Sequence, residues 1–420
     1  MNWINPKSAR YAWIIVALLV PVALLNYLDR QMLAAMKFSL MTDIPDIGSE
    51  ANWGKILALF KWTYAFLSPI GGYLADRFSR RHVIAGSLVV WSGITWATGQ
   101  VTSYEQLLWT RAVMGISEAF YMPAALALIA DYHLGATRSR AVGMHQMGIY
   151  AGIIVGGFSG YAADHPELGW RWMFELCGLL GVLYALPLYL MVRNAPAAPG
   201  SHEPVATTPG GAIRELLSKP SFILLVLYFT LPAMAGWIVR DWMPAILKTE
   251  FGIGQGKAGV SATLYWMVAA VAAALVGGWL ADRWMQRTPK GRIYTSAVGM
   301  VLIVIAMMGV GYSPQTGVLG VAIFFLMVFG FGWGFFDCNN MPILCQVARP
   351  HLRATGYGIM NMVSISCGGL ADWGFGMLRD MRVPLLLIFG VFASVAMFSV
   401  VLVLMIKPTE TDDLPAPVGH

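Results

Sequence analysis

Apolar runs of roughly 20 to 30 residues alternate along this chain with short polar stretches rich in Arg, Lys, Gly and Pro. A helix of about 20 apolar residues is long enough to cross the hydrocarbon core of a bilayer. Runs of that kind are read at 11–37, 53–75, 82–101, 105–131, 139–163, 172–192, 220–247, 257–281, 292–311, 317–348, 353–378 and 384–406. The pattern predicts an all-α membrane protein with twelve transmembrane helices.

The pattern also repeats. Gly71-Gly72-Tyr73-Leu74-Ala75-Asp76-Arg77-Phe78 recurs about 206 residues later as Gly277-Gly278-Trp279-Leu280-Ala281-Asp282-Arg283-Trp284, each copy closing an apolar run. Aligning the fourth and tenth runs at an offset of 219 pairs Gly115 with Gly334, Glu118 with Asp337 and Pro123 with Pro342. Arg140-Ala141-Val142-Gly143 matches Arg353-Ala354-Thr355-Gly356 in the same way. Between the halves, Asn194 to Lys219 is too rich in Pro, Gly and Ala to form a helix before about Ala212. The expected plan is a six-helix bundle over 1–193, a cytoplasmic linker over 194–219, a second six-helix bundle over 220–407 and a polar tail over 408–420. Membrane chains built from two related halves carry their substrate between them near the bilayer midplane. A transporter with two pseudo-symmetric bundles is expected.

Composition agrees: 57% of residues are hydrophobic and 12% charged, with a mean hydropathy of +0.63, against about 25% charged in soluble domains. With the N-terminus in the cytoplasm, 17 of the 28 Lys and Arg fall in or beside cytoplasmic loops and seven near the outer ends. That bias puts both termini inside. The net charge of +6 is therefore topological, and its scattered loop positions argue against a nucleic-acid partner. The first run is too long for a cleavable leader and carries Asn26, Asp29 and Arg30. Cys177, Cys338, Cys345 and Cys367 lack metal-ligand spacing, the seven histidines are dispersed, and neither His-Glu-x-x-His nor Gly-x-Ser-x-Gly occurs. No catalytic residue, metal or cofactor is expected, and the protein is not read as an enzyme.

The remaining four cations, Arg30, Lys61, Arg111 and Arg240, lie inside spans, as do Asp29, Glu118, Asp241, Asp337 and Asp372. Burying such groups costs on the order of 2.5–3.5 kcal/mol each on insertion scales, so they face a cavity or one another. Arg111 and Glu118 are two turns apart and share a helix face. Lys61, well inside its helix, and Asp337 with Asn340 one turn on, are candidate substrate contacts, with Gln146 able to bond a hydroxylated substrate. Arg240 and Asp241 are read as satisfying each other.

Gly72-Tyr73-Leu74-Ala75-Asp76-Arg77-Phe78-Ser79-Arg80-Arg81 resembles the loop signature of the major facilitator superfamily, with Ser79 where Gly is usual. The resemblance implies two six-helix bundles and gating roles for Gly72, Asp76, Arg77, Asp282 and Arg283. Asn26-Tyr27-Leu28-Asp29-Arg30 and the Arg111-to-Glu118 segment resemble the anion:cation symporter family. That likeness implies proton coupling at Asp29 and Glu118 and carboxylate binding at Arg30 and Arg111. Spinster-like transporters share these features, and a lysolipid carrier is the alternative. A drug exporter is less well matched, because Gly152-Ile153-Ile154-Val155-Gly156-Gly157 lacks the proline of the antiporter motif. The expected function is symport of an organic anion with protons by a monomer in a bacterial inner membrane.

Overall fold

The computed structural model describes residues 9–133, 137–194, 209–349 and 352–408. Among them are twelve long helices: α1 (Ala9–Ala35), α2 (Glu50–Arg77), α3 (Arg80–Thr98), α4 (Tyr104–Tyr132), α5 (Arg138–Asp164), α6 (Gly169–Met191), α7 (Pro220–Phe251), α8 (Gln255–Met285), α9 (Gly291–Thr316), α10 (Leu319–Val347), α11 (Arg353–Asp380) and α12 (Leu385–Met405). In hydrocarbon a backbone must satisfy its own polar groups, and the helix does so. Turns fall where the sequence supplies stops: Gly252 and Gly317 adopt left-handed φ after α7 and α9, and Ser103 accepts from Gln106 N to cap α4.

The twelve long helices end within five residues of the expected runs, α9 reaching Thr316 rather than 311, and two boundaries change the local structure. The first helix ends at Ala35 rather than 37, and a short helix, Lys37–Asp43, follows with a 3-10 turn at Pro45–Ile47. The linker becomes helical at Pro209, which suits a helix's first turn, rather than at Ala212. Residues 195–208 and 409–420 lie outside the described residues.

Nine of the twelve helices meet a spanning criterion on length and hydropathy. The others are α2, α3 and α11, and two of these, α2 and α11, pack against each other across the molecule. They are polar because they form a joint rather than a lipid face. Leu275, Trp109 and Leu183 instead point outward, where acyl chains take the place of water.

Both halves run through six antiparallel helices, so Ala9, Asn194, Pro209 and Pro408 lie at one end, the terminal end. At the opposite, far end the bundles meet along two seams. Along α2 and α11, a Cβ on Gly54 would clash with the Asp372 carbonyl, and one on Gly376 with that of Glu50. Along α5 and α8, a Cβ on Gly157 would lie 2.8 Å from the Gly259 carbonyl and would strike Thr263 Oγ1. Each seam is also latched by an acid. Asp380, closing α11, accepts from Glu50 N and Ala51 N at 2.9 and 2.8 Å. Asp164, closing α5, accepts from Gly256 N and Gln255 Nε2, both at 3.0 Å. Each half thus caps the second helix of the other. Nearer the terminal end, Asp337 and Tyr357 are exposed in the interior, so among the described residues the space between the bundles is sealed at the far end.

The repeat is real, but its register in α4 and α10 is one turn from the expected one. Arg138 donates to the Ala130 and His133 carbonyls at the end of α4, and Arg353 to those of Cys345 and Ala348 at the end of α10. Gly115 packs on the Phe60 carbonyl and Gly330 on that of Trp266. The pairs on α4 and α10, and Arg138 with Arg353, differ by 215 rather than 219, while Phe60 and Trp266 keep the 206 of the loop motif. The glycines at 330, 332 and 334 offered two registers a turn apart. Glu118 is therefore matched by Trp333 rather than Asp337, and Arg353 by Arg138 rather than Arg140.

Candidate functional site

Asp29, Arg30, Arg111 and Glu118 meet between α1 and α4. Arg30 donates through Nε and Nη2 to Glu118 Oε2 at 2.8 and 2.5 Å. Its guanidinium is walled by the rings of Tyr27, Phe60 and Tyr64 at 4.7, 4.6 and 5.0 Å. Glu118 is fully buried, and its Oε1 has no partner. Arg111 sits 3.8 Å from Asp29 Oδ2, close enough for Coulomb attraction but too far for a hydrogen bond, and donates to Thr98 Oγ1 at 3.0 Å. Phe174 covers it at 5.9 Å, and 2% of its side chain is exposed against 12% for Arg30. Of the two arginines, Arg30 is the one within reach of the cleft.

Lys61 lies at the seam itself. It pairs with Asp241 of α7 at 2.5 Å and with Asp372 of α11, while its ammonium sits 4.3 Å from the Trp237 ring. An acid from each of two helices of the second half holds a base of the first. The expected Arg240–Asp241 pairing is not what forms, because neighbouring residues on a helix point about 100° apart. Asp241 turns to α2, and Arg240 turns toward the cleft.

Among the described residues Arg240 has no acid within ion-pair distance, and its Nε is buried without a partner. Its guanidinium lies 5.7 Å from the Tyr27 ring and 4.9 Å from the Trp237 ring. Gln31 of α1 donates to its backbone carbonyl at 3.2 Å. Asp337 stands within electrostatic range of Arg240, and Tyr150 of α5 within range of both. Gln146 lies one turn before Tyr150 on the same face. Asn340 is buried, with neither amide atom partnered. Tyr27, Gln146, Tyr150, Arg240 and Asp337 thus gather from four helices around the open part of the cleft.

Of the expected gating residues, Gly72, Asp76 and Arg77 lie in the last turns of α2, with side chains outside the described residues. In the second copy Asp282 pairs loosely with Arg292 at 3.9 Å, and Arg283 lies 5.5 Å from the Trp279 ring. Sequence reasoning passed over Asp164 and Asp380. Their signal was their matching place at the ends of α5 and α11, 216 residues apart.

A family model described as Major Facilitator Superfamily matches residues 19–372. Protein spinster homolog 1 of Bos taurus is 33% identical over 263 residues, 60% of this chain and 49% of that protein. The chain spans about half the length of the spinster homolog 1 proteins of Bos taurus and Homo sapiens that it matches. An MFS-type efflux pump of Mycolicibacterium smegmatis is 28% identical over 88% of this chain and 85% of its own. Among solved structures, a bacterial homolog of the human lysosomal transporter Spinster, inward-facing and unoccupied, superposes with a TM-score of 0.75 at 22% identity, over 94% of this chain and 95% of its own. A D-xylose-proton symporter gives 0.76 at 17%, over 95% and 98%. These likenesses show the fold.

Proposed function

This chain belongs to the Major Facilitator Superfamily, and from that premise we propose that it is a symporter moving an organic anion together with protons. The reading is carried by the grip of Glu118 on Arg30, two hydrogen bonds to one buried carboxylate oxygen at the edge of the cleft. A proton on Glu118 removes the negative charge that holds Arg30. The freed guanidinium then pairs with a substrate carboxylate, so proton and anion bind together. Arg240, which lacks an acid of its own, is the second anchor. Gln146, Asn340 and Asp337 are assigned to the polar remainder of the substrate. Asp29, steadied by Arg111, is the second coupling acid, and Arg111 acts on the substrate only through Asp29.

Charge supports coupling. Moving one elementary charge across 100 mV is worth about 2.3 kcal/mol, so a monoanion is opposed by an inside-negative membrane, and one proton cancels the opposition. The Lys and Arg bias supports cytoplasmic termini, in a bacterial inner membrane. The terminal end is then cytoplasmic, and the conformation is inward-open. Loss of the anionic partner on Arg30 is tested by Glu118→Gln in proteoliposomes. This variant should still exchange organic anion by counterflow but lose accumulation driven by a pH gradient. Wild-type accumulation would sink the assignment.

A second reading, a Spinster-like carrier of a lysolipid, is favoured by the rings of Tyr27, Phe60, Tyr64 and Trp237 that surround both cations. Thermal stabilisation by sugar acids against lysolipids separates the two, since a specific ligand raises the melting temperature by mass action.

A further inference from the structure

The charges buried within the spans do not balance. Asp29 and Glu118 are matched by Arg30 and Arg111 inside the first half. At the far-end seam, among the described residues, Asp241 and Asp372 share Lys61 alone. Asp372 has no exposed side-chain surface, and its Oδ1 is buried with no hydrogen-bond partner.

The surrounding groups do not remove the excess. On α2, Glu50 is held by Lys37, and on α11, Asp380 accepts from the first amides of α2. Arg379 pairs with Glu250 of α7 at 3.1 Å. Arg30 of α1 belongs to Glu118. Arg240 lies against the Tyr27 and Trp237 rings, within electrostatic range of Asp337, and forms no ion pair with Asp241 or Asp372 among the described residues. Counting Arg240 and Asp337 into the cluster leaves one acid more than there are bases. A buried carboxylate oxygen without a partner is far more costly when charged than when neutral.

We propose that Lys61, Asp241 and Asp372 form a proton-binding site built into the far-end seam, which takes up one proton as the bundles close there and gives it back as they part. With both acids ionised the closed seam buries a net charge of −1. With one proton bound it buries a neutral pair. When the seam opens, water solvates all three groups and the proton is no longer required. Asp372 is the acceptor, because Asp241 keeps 9% of its side chain exposed and Asp372 none. The site is distinct from Glu118 and needs no substrate, so it goes beyond the anion-carrier reading.

The test measures distances between spin labels on Glu105→Cys and Gln315→Cys, exposed far-end positions on opposite bundles, in a chain whose four native cysteines are replaced by alanine. No substrate is added. As pH falls from about 8 to 5 the closed distance should gain, with the closed-to-open ratio changing up to tenfold per pH unit, the slope of one linked proton. Asp372→Asn should stay closed across the range. So should Asp241→Asn, which also leaves a neutral pair and guards against misfolding of the first variant. Glu118→Gln should keep the pH response. A flat wild-type profile overturns the proposal, as does a wild-type slope in Asp372→Asn or closure that follows sodium rather than pH. Loss of the response in Glu118→Gln, with retention in Asp372→Asn, would also overturn it while leaving the symport reading intact.

Discussion

The second half's orphan cation and the first half's matched charges have different chemical fates. Arg240→Gln should weaken organic-anion binding by roughly tenfold to a hundredfold, since a hydrogen bond to a charged group is worth about 1.5–3 kcal/mol. Arg111→Gln should instead lower thermal stability, because it strands Asp29 in a buried site, where an uncompensated charge costs about 3–5 kcal/mol. Calorimetric titration and melting of both variants check the pair, and a stable Arg111→Gln with the larger affinity loss would reverse the roles. Which residues matter was legible in the sequence, because ionisable groups in spans stand out by their cost. Which acid meets which base was not. Arg240 and Asp241 are neighbours in sequence but face different helices, and Lys61 finds its partners 180 and 311 residues away. The pseudo-symmetry of Glu118 and Asp337 misled for a narrower reason: three evenly spaced glycines hid a slip of one turn.

Among elements, α2 and α11 carry the most consequence. Their backbones approach so closely that Gly54→Leu cannot fit the closed seam unless the two helices move apart. This variant should remain folded, hold the far end apart and lose net transport. Labels at Glu105→Cys and Gln315→Cys should then show the longer distance at every pH, and a wild-type distance would mean that the seam can yield. The caps add a graded control. Losing an N-cap costs roughly 0.5–2 kcal/mol, so Asp380→Ala should shift the closed-to-open ratio by about twofold to thirtyfold. The matching Asp164→Ala should do the same from the other seam.

For the whole molecule, the sequence disclosed twelve long helices in two repeated halves, since hydropathy and repetition are properties of the chain itself. It did not disclose which end would be shut, because closure depends on contacts between halves. Cysteines at Ser49 and Thr288 should label from opposite sides of the membrane in intact cells, Ser49 from the exterior and Thr288 from the cytoplasm. Labelling of both from one side would break the twelve-span arrangement. The seams carry one more consequence. They join glycine and backbone carbonyl, with Gly54 on Asp372, Gly376 on Glu50 and Gly157 on Gly259, but they also pack rings, with Trp62 of α2 edge-on to Trp373 of α11 and Tyr161 of α5 against Gly256 of α8. Apolar surface newly exposed to water is what gives a transition its large heat capacity. Parting the seams wets these rings as well as backbone, so the balance between the shut and parted forms should bend with temperature, and its van't Hoff plot should curve.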